Sequence, residues 1–288
     1  MSNIVYYPRL AKIFGKKLTA YIALARPFTL IPAVVVGLML TISAEGLLSF
    51  TKGIYIGLTL ALAQACGQIV NQVVDRDLDK IVKPYRPIPR GSVTVEEATG
   101  LAYLCALLAV ARAFTVSIYF GLMTCVMLFM AVFYSLPPLS PRRVNPFLSL
   151  MWISFSRGLI PIIAVMGLNA WRYALLSLIW AIGWQGTKDI PDVHGDSLFN
   201  IKTIANTYGV KALKKMSLLF TVLYSVVCIL LEKHIFLIIS CLGVYGLLNY
   251  ERPWRGENTV SWAIYYVGLS GIPVLILLEQ LVFNKLVF

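Results

Sequence analysis

Residues 53–79 read GIYIGLTLALAQACGQIVNQVVDRDLD, an apolar run that ends in one asparagine and three aspartates. A run of this kind predicts a helix that spans a membrane, since about 20 mostly apolar residues cross the hydrocarbon core of a bilayer. Carboxylates are costly close to that core and usually have a function there. The end of the run, NQVVDRDLD (71–79), is therefore a candidate functional site.

The composition of the whole chain is typical of an integral membrane protein. Of its 288 residues, 59% are hydrophobic and 13% charged, whereas soluble domains are about half apolar and about a quarter charged. The net charge of +12 does not indicate a nucleic-acid partner, because the basic residues lie in short segments between apolar runs. The five cysteines lie inside apolar runs without metal-ligand spacing, and we interpret them as small core residues.

Hydropathy along the chain predicts a single all-α transmembrane domain, residues 1–288, with nine spans. Residues 1–22 carry basic side chains among aromatic and aliphatic ones, which favours an amphipathic segment lying on an anionic membrane surface. The predicted spans are residues 24–44, 54–76, 96–113, 115–135, 145–167, 171–191, 212–231, 234–250 and 259–283.

The distribution of Lys and Arg predicts the orientation of these spans. With the N-terminus in the cytoplasm, 19 basic residues lie on the cytoplasmic side and 5 on the other, and one, Arg157, lies inside the fifth span. Cytoplasmic loops are enriched in Lys and Arg, so this bias favours nine spans with a cytoplasmic N-terminus. The chain is expected in a cell or organelle membrane.

All six aspartates lie in two clusters at the predicted cytoplasmic ends of the second and sixth spans. In the first cluster, a spacing of four residues places Asn71, Asp75 and Asp79 on one helix face, whereas Asp77 points away. The second cluster is KDIPDVHGD (188–196), and its helical spacing also predicts a shared face, although a proline interrupts it. Its acids are Asp189, Asp192 and Asp196.

Carboxylates gathered on one face repel each other, and two such faces near a bilayer need a compensating cation. Mg2+ is the natural candidate, because it takes carboxylate oxygens and keeps sites for water and substrate phosphates. Zinc does not fit, since neither cysteine nor histidine is clustered here. The alternative is that the acids pair with loop cations alone, and two similar clusters, each followed by a basic loop, disfavour it.

Basic residues near both clusters predict a diphosphate ligand. The loop KPYRPIPRG (83–91) is stiffened by three prolines, so its cations can be held at fixed positions. A diphosphate site beside the bilayer indicates a substrate with an apolar tail, whose diphosphate departs with metal assistance and leaves an allylic carbocation. The cations placed to bind the phosphate oxygens are Lys83, Arg86, Arg90, Lys188 and Lys202.

These motifs resemble those of the UbiA-type intramembrane prenyltransferases. NQVVDRDLD resembles the family's N-x3-D-x3-D motif, KDIPDVHGD resembles its D-x2-D-x3-D motif, and KPYRPIPRG resembles the loop after the first motif. The fragments ARPFTL (25–30) and YS (134–135) match less specifically. With nine predicted spans in order, the resemblance covers nearly the whole chain.

The resemblance implies a ring of nine helices around a central cavity that opens sideways to lipid. It also implies Mg2+-dependent transfer of an isoprenoid from its diphosphate to an acceptor, with two ions bridged by the diphosphate. One ion would be held by Asn71, Asp75 and Asp79, and the other by Asp189, Asp192 and Asp196. The diphosphate would be held by Lys83, Arg86, Lys188 and Lys202.

Four further residues are candidates for the cavity or the acceptor. The ring of Tyr134 can stabilise a carbocation, so it is grouped with Asp75 and Asp192 as catalytic, although an interfacial tyrosine explains it equally well. An ionisable residue within a span is by default a functional hypothesis. The remaining cavity or acceptor candidates are Arg26, Ser135 and Arg157.

Two departures from the family pattern concern the acceptor more than the metal. Gln72 stands where many relatives have an acid, and a lysine common after the YS motif is absent, with Arg142 and Arg143 nearby. The expected acceptor is an aromatic quinone precursor, and the alternative is a glycerol phosphate in ether-lipid synthesis. A cation-coupled transporter is the alternative from another class, and acids confined to one face count against it.

Overall fold

The structure is a computed structural model that describes residues 8–256 and 258–283, and nearly all of them are helical. The first seven helices are α1 (Pro8–Ala25), α2 (Ile31–Glu45), α3 (Phe50–Val74), α4 (Arg76–Val82), α5 (Val95–Val116), α6 (Ile118–Phe133) and α7 (Pro141–Val144). The other eight are α8 (Pro146–Ser154), α9 (Ile160–Met166), α10 (Trp171–Trp184), α11 (Val193–Leu198), α12 (Ile204–Tyr208), α13 (Val210–Leu230), α14 (Leu237–Leu248) and α15 (Val260–Phe283). Strands β1 (Pro253–Arg255) and β2 (Asn258–Thr259) form an antiparallel pair before α15.

A helix occupies each of the nine intervals predicted to cross the membrane. Within the described residues, six helical runs are long and apolar enough to do so, and two shorter apolar helices, Ile118–Phe133 and His234–Leu248, accompany them. The prediction of an all-α multi-pass membrane protein is therefore confirmed at that level. The count of nine spans and the cytoplasmic N-terminus stay predictions. The six runs are Pro27–Glu45, Leu47–Val74, Val95–Val116, Pro146–Met166, Val210–Leu230 and Val260–Val282.

The fifth predicted span is interrupted by a π-helical turn. Residues Phe155–Leu159 form this turn between α8 and α9, and the N–H of Ile160 donates to the carbonyl of Phe155, five residues back. Pro161 explains the change of pattern, because it has no N–H to donate to the carbonyl of Arg157. The turn rotates the helix at the one basic residue within this span.

The first half of the bundle is built on close contact between α2 and α3. A Cβ added at Gly37 would collide with the backbone of Gly57, so the two helices approach to a separation that only glycine permits at this crossing. The last helix, α15, packs against α2 and so brings the end of the chain beside its first span. The core of the bundle is thus closed between α2 and α15.

The second half is organised around α10. The rings of Trp180 and Trp184 stack with their centroids 5.1 Å apart. The indole N–H of Trp180 donates to the carbonyl of Tyr265 on α15 at 3.1 Å, and that of Trp184 donates to Thr221 on α13 at 3.2 Å. Buried tryptophans thus satisfy their polar atoms and fix α10, whose end carries the second acid cluster.

The N-terminal helix α1 covers most of the segment 1–22 that is predicted to be amphipathic, and residues 1–7 lie outside the described part of the chain. Ile13, Phe14 and Leu18 are exposed beside exposed Lys16. A kink at Gly15, with φ of 77°, separates the two parts of the helix. Lying on an anionic membrane surface stays a prediction for this segment.

Candidate active site

The first acid cluster lies where α3 gives way to α4. The N–H of Asp75 donates to the carbonyl of Asn71 at 2.9 Å, and the N–H of Asp79 donates to that of Asp75 at 2.8 Å. The helical spacing therefore continues through the break at Asp75. The side-chain amide of Asn71 donates to Asp75 at 2.7 Å and to Ser135 at 3.1 Å. Asp77 is exposed and forms an ion pair with Lys80 at 2.9 Å, which agrees with its predicted outward direction.

The second acid cluster follows α10 without an α-helical connection. Residues Gln185–Asp192 form a 3-10 helix that contains Pro191, and α11 follows it. In a 3-10 helix residues i and i+3 eclipse each other, so Asp189 and Asp192 share a face. Asp196 is buried on α11. The prediction that the sixth helix continues to residue 191 is wrong in its last residues, because the helix type changes after Trp184.

The two clusters lie against each other in the fold. A Cβ added at Gly195 on α11 would collide with the side chain of Val82 and would lie 3.0 Å from Leu78, both on α4. Lys83, directly after α4, forms an ion pair with Asp192 of the second cluster. Glycine at position 195 thus permits the short helices that carry the two clusters to pack together.

Arginines pair with the two buried acids of the first cluster, Asp75 and Asp79. Arg142 binds Asp75 through two hydrogen bonds of 2.6 Å, and both side chains are buried. Arg86 lies 2.6 Å from both carboxylate oxygens of Asp79. Burial raises the pKa of Asp79 above its ordinary value, although the charge of Arg86 opposes the shift. These are strong charge-assisted contacts in a site with little access to water.

The second cluster holds more negative charge than its nearest cations neutralise. Lys188 lies 3.2 Å from Asp189, and Lys83 is paired with Asp192. Burial disfavours the charge of Asp192, but the nearby cations, Lys83 first, outweigh it and hold the pKa below its ordinary value.

Asp196 is the member of this cluster without an ion-pair partner among the described residues. Burial, and then the charges of Asp189 and Asp192, raise the pKa of Asp196 to about 8. A carboxyl group in this position resists ionisation unless a cation is bound beside it.

The donor set at the two clusters fits Mg2+ chemically. It contains carboxylate and amide oxygens, which are the ligands of hard divalent ions, and the repulsion around Asp196 is relieved by a cation. In the described part of the chain, however, no three His, Cys, Asp or Glu side chains already form a metal-ligand group. The acids point instead to arginine and lysine, so metal binding requires these ion pairs to open.

Not every predicted phosphate ligand faces the acids. The ammonium group of Lys202 donates to the carbonyl of Val144 at 3.2 Å, and its backbone N–H donates to the carbonyl of Arg142 at 2.7 Å. Lys202 therefore supports the segment that carries Arg142. Arg90 is exposed at the end of the proline-rich loop. Lys83, Arg86 and Lys188 do contact the acids.

Tyr134 and Ser135 lie close to residues of both acid clusters. The hydroxyl of Tyr134 is 3.2 Å from that of Ser149, and the ammonium group of Lys188 is 5.2 Å from the centre of its ring. Both side chains are buried. Tyr134 also lines a small cavity together with Lys188 and Asp189. Ser135 instead accepts the hydrogen bond from Asn71, and a role of these two residues at the substrate cavity stays a prediction.

Two residues have positions that the sequence reasoning did not give them. From the sequence, Arg142 is only a departure from the family pattern after the YS motif, whereas in the structure it is the partner of Asp75. Its position in the proline-rich segment PPLSPRRVNP is the sequence feature that could have indicated a fixed side chain. Gln72 is the other departure from the pattern that the resemblance implies, and its side-chain amide donates to the carbonyl of Leu24 at 2.6 Å. Gln72 thus joins α3 to α1 and takes no part in the acid cluster.

Arg26 and Arg157, the other cavity candidates, have different surroundings. Arg26 has a left-handed backbone with φ of 49°, and its charge acts on both Asp79 and Asp192. Arg157 instead lines a second, small cavity between spans, together with Tyr266 and Gln64. The charge of Arg26 therefore acts on the acids directly, whereas Arg157 is close enough to act on Lys188.

Two acid clusters meet at the ends of apolar helices, and the family profile agrees with the resemblance of their motifs. The profile of the UbiA prenyltransferase family matches residues 29–277. The chain belongs to this family and is a membrane prenyltransferase, as its motifs predicted. This membership favours the enzyme over the cation-coupled transporter.

Curated relatives carry two kinds of name. The digeranylgeranylglyceryl phosphate synthase of Saccharolobus solfataricus is 29% identical over 223 residues, which cover 73% of this chain and 76% of the relative. The homogentisate phytyltransferase of Synechocystis is 27% identical over 153 residues, which cover 49% of each chain. The names thus include both a glyceryl phosphate lipid and an aromatic acid.

Solved structures of the same family share the fold. A UbiA homolog from Archaeoglobus fulgidus, bound to GPP and Mg2+, superposes with a TM-score of 0.66 at 17% identity, and covers 91% of this chain and 98% of that chain. The apo structure of a UbiA homolog from Aeropyrum pernix gives a TM-score of 0.68 at 18% identity, with 90% and 98% covered. The helical architecture around the site is therefore that of the family.

Proposed function

We propose that this protein transfers an isoprenoid group from an allylic prenyl diphosphate to an acceptor, with Mg2+ bound by the two acid clusters. The observation that carries the proposal is the meeting of the clusters across α4 and α11, with Lys83 bridging to Asp192. The solved relative bound to GPP and Mg2+ supports a diphosphate and a divalent ion as ligands. The active site is proposed to face the cytoplasm.

The residues proposed to hold the metal are the asparagine and the aspartates of the two motifs, apart from Asp77. Bound Mg2+ supplies electrostatic stabilisation to the departing diphosphate. The carboxylates fix the position of that charge, and their short helices hold them at one end of the bundle. These residues are Asn71, Asp75 and Asp79 on one side and Asp189, Asp192 and Asp196 on the other.

The paired cations are proposed to move from carboxylate to phosphate oxygens when substrate binds. Arg142 and Arg86 present planar guanidinium groups, which suit two phosphate oxygens at once, and Lys83 and Lys188 supply compact charges. Their present ion pairs keep the acids neutralised in the absence of substrate. Lys202 and Arg90 are assigned supporting positions at the edge of the site.

The reaction breaks the bond between the allylic carbon and the diphosphate oxygen, and the electron pair leaves with the diphosphate. The allylic cation is then attacked by the acceptor, which loses a proton as the new bond forms. The ring of Tyr134 lies beside the acid cluster, where an aromatic face stabilises a carbocation. The low access of water to this region protects the cation from hydrolysis.

The acceptor proposed first is a glycerol phosphate lipid. The relatives with that name cover about three quarters of the chain, whereas the homogentisate phytyltransferases cover 49% of it. An aromatic acceptor, as expected from the sequence alone, is the second candidate, and it would be attacked through a ring carbon. Both candidates are anionic.

Incubation of the purified protein with geranylgeranyl diphosphate, Mg2+ and each acceptor tests the proposal. Geranylgeranylglyceryl phosphate and homogentisate serve as the two acceptors, and product mass and diphosphate release are measured. We expect a prenylated product that requires Mg2+ and is lost in Asp192→Asn. Release of diphosphate that is unchanged in EDTA, or by this variant, would contradict the proposal.

A further inference from the structure

Arg157 is a basic residue in the interior of the bundle. It lines a small cavity together with side chains from the first, second, sixth and last predicted spans. The lining is largely apolar, and its polar members include Gln64, Ser177 and Tyr266. A guanidinium group in such surroundings needs a compensating partner.

The backbone turns Arg157 toward this cavity. The residue lies in the π-helical turn Phe155–Leu159, and Pro161 prevents the regular hydrogen bond to its carbonyl. The next residue, Gly158, lies against the backbone of Ser177 on α10, where an added Cβ would be 2.9 Å from the carbonyl oxygen. π-helical turns of this kind often occur at functional positions.

No carboxylate forms an ion pair with Arg157 within the described residues. Its hydrogen bond of 3.3 Å goes to the hydroxyl of Tyr266, a neutral group. Lys188, which is close enough for the two positive charges to repel, is itself paired with Asp189. Within the described residues, the positive charge of Arg157 is therefore not neutralised by an ion pair.

We propose that Arg157, with the hydroxyl of Tyr266, binds the anionic group of the acceptor. This inference rests on the proposed function and adds a subsite to it: the diphosphate is bound at the acid clusters, and the phosphate or carboxylate of the acceptor is bound at Arg157. The apolar lining of the cavity receives the rest of the acceptor. A guanidinium group suits either anion, because both offer two oxygens to it.

Arg112, near the end of α5 and among the five basic residues on the predicted outer side, shows how an arginine with structural contacts is held in this protein. Its guanidinium group stacks on the ring of Tyr55 at 3.7 Å, and it donates to the hydroxyl of Thr59 at 3.1 Å and to the carbonyl of Tyr55 at 3.0 Å. These contacts belong to α3, and Arg112 lines neither cavity described above. Arg112→Gln is therefore a control for the loss of an arginine that packs between helices.

The test compares the KM values of charged and uncharged acceptors in wild type, Arg157→Gln, Arg157→Lys and Arg112→Gln. Geranylgeranylglyceryl phosphate is paired with its dephosphorylated alcohol, and homogentisate with its methyl ester. In Arg157→Gln we expect the KM of the phosphate or carboxylate acceptor to rise about 30-fold or more, as for the loss of a buried charge partner. The KM of geranylgeranyl diphosphate and of the neutral acceptors stays within about twofold. Arg157→Lys recovers part of the loss, and Arg112→Gln matches wild type.

Binding of the same compounds, followed as thermal stabilisation of the protein without donor, is the second measurement. If the wild-type protein transfers the isoprenoid to no acceptor, the proposed function is contradicted. Even then, the inference about Arg157 is supported if the protein binds the anionic compounds better than the neutral ones and loses this preference in Arg157→Gln. An unchanged KM for the anionic acceptors in Arg157→Gln, or equal binding of charged and neutral compounds by wild type, would overturn it. A rise in the KM of the diphosphate alone would also overturn it and would assign Arg157 to the donor.

Discussion

Two groups of partly or fully buried charges lie at opposite ends of α10, and they are built differently. Near its start, Tyr173 donates to Glu279 at 2.6 Å, while Lys233 lies 3.0 Å from Tyr173 and 3.1 Å from Glu279. One cation, one carboxylate and one hydroxyl satisfy each other, and they join α10 to α15 and to the segment after α13. We call this group the Glu279 cluster.

Beyond the other end of α10 lies the second acid cluster, where burial, and then the charges of Asp189 and Asp192, raise the pKa of Asp196. Such a group costs stability in the absence of a ligand. Buried charge thus has two uses in this protein. Balanced charge fixes helices, whereas unbalanced charge creates a demand for a cation and a polyanion.

The largest effect on stability is expected from a substitution of Arg142. Arg142→Gln leaves the buried carboxylate of Asp75 unpaired, and we expect the free energy of unfolding to fall by about 3–5 kcal/mol. Thermal unfolding in detergent, followed by tryptophan fluorescence, measures the change. The double variant Asp75→Asn/Arg142→Gln is expected to recover most of the stability but none of the activity. Equal stability of the single and double variants would show that the pair is not coupled.

Asp196→Asn, in contrast to Arg142→Gln, is expected to lower the activity without lowering the stability. Removing one of three repelling carboxylates should leave the melting temperature of the metal-free protein unchanged or higher. The loss of a proposed metal ligand should lower kcat by about 10²–10³-fold, measured as diphosphate release. Asp77→Asn, in the same acidic region but exposed, is the control and should retain activity. Full turnover by Asp196→Asn would remove this residue from the site.

Gly195→Ala tests the contact that brings the clusters together. The added methyl group meets Val82 and Leu78, so we expect a loss of about 1–3 kcal/mol in stability and a lower affinity for Mg2+. Gly100→Ala on α5 is the matched control, since an added Cβ there has no heavy atom within 4 Å among the described residues. Titration of diphosphate release with Mg2+ measures the affinity. An unaltered Mg2+ dependence would mean that the α4–α11 contact does not set the site.

Glu279→Gln should produce the smallest effect on turnover. Without the carboxylate, Lys233 keeps only neutral partners, and we expect the stability to fall by about 1–2 kcal/mol. Because this cluster is remote from the acids, kcat should stay within about twofold of wild type. Glu45→Gln, which removes an exposed ion pair with Lys52, should change stability by no more than about 0.5 kcal/mol. A large loss of activity in Glu279→Gln would show that the Glu279 cluster is not purely structural.

Much of this architecture could be predicted from sequence because hydrophobic length and acid spacing are local properties. The apolar runs predicted helices at all nine intervals, and the four-residue spacing of Asn71, Asp75 and Asp79 survives the break between α3 and α4. The change of helix type before Asp189 was harder to predict, since Pro191 marks an irregularity without stating its form.

Ion pairs between residues that are distant in the sequence could not be predicted, for a physical reason. Arg142 is 67 residues from Asp75, and nothing local distinguishes it from Arg143, which is exposed. The same holds for Lys202, whose basic character indicated a phosphate ligand although its ammonium group binds a backbone carbonyl. Which cation meets which acid depends on tertiary packing, and a charge pattern alone does not contain it.

The claim that the two acid clusters form one divalent-metal and diphosphate site is tested most directly by anomalous diffraction from crystals grown with Mn2+ and a thiolo analogue of geranylgeranyl diphosphate. We predict Mn2+ bound by side chains of both clusters, with Arg142 and Lys83 moved from Asp75 and Asp192 onto phosphate oxygens. Mn2+ bound elsewhere, with both of these ion pairs intact and the diphosphate away from the acids, would contradict the claim.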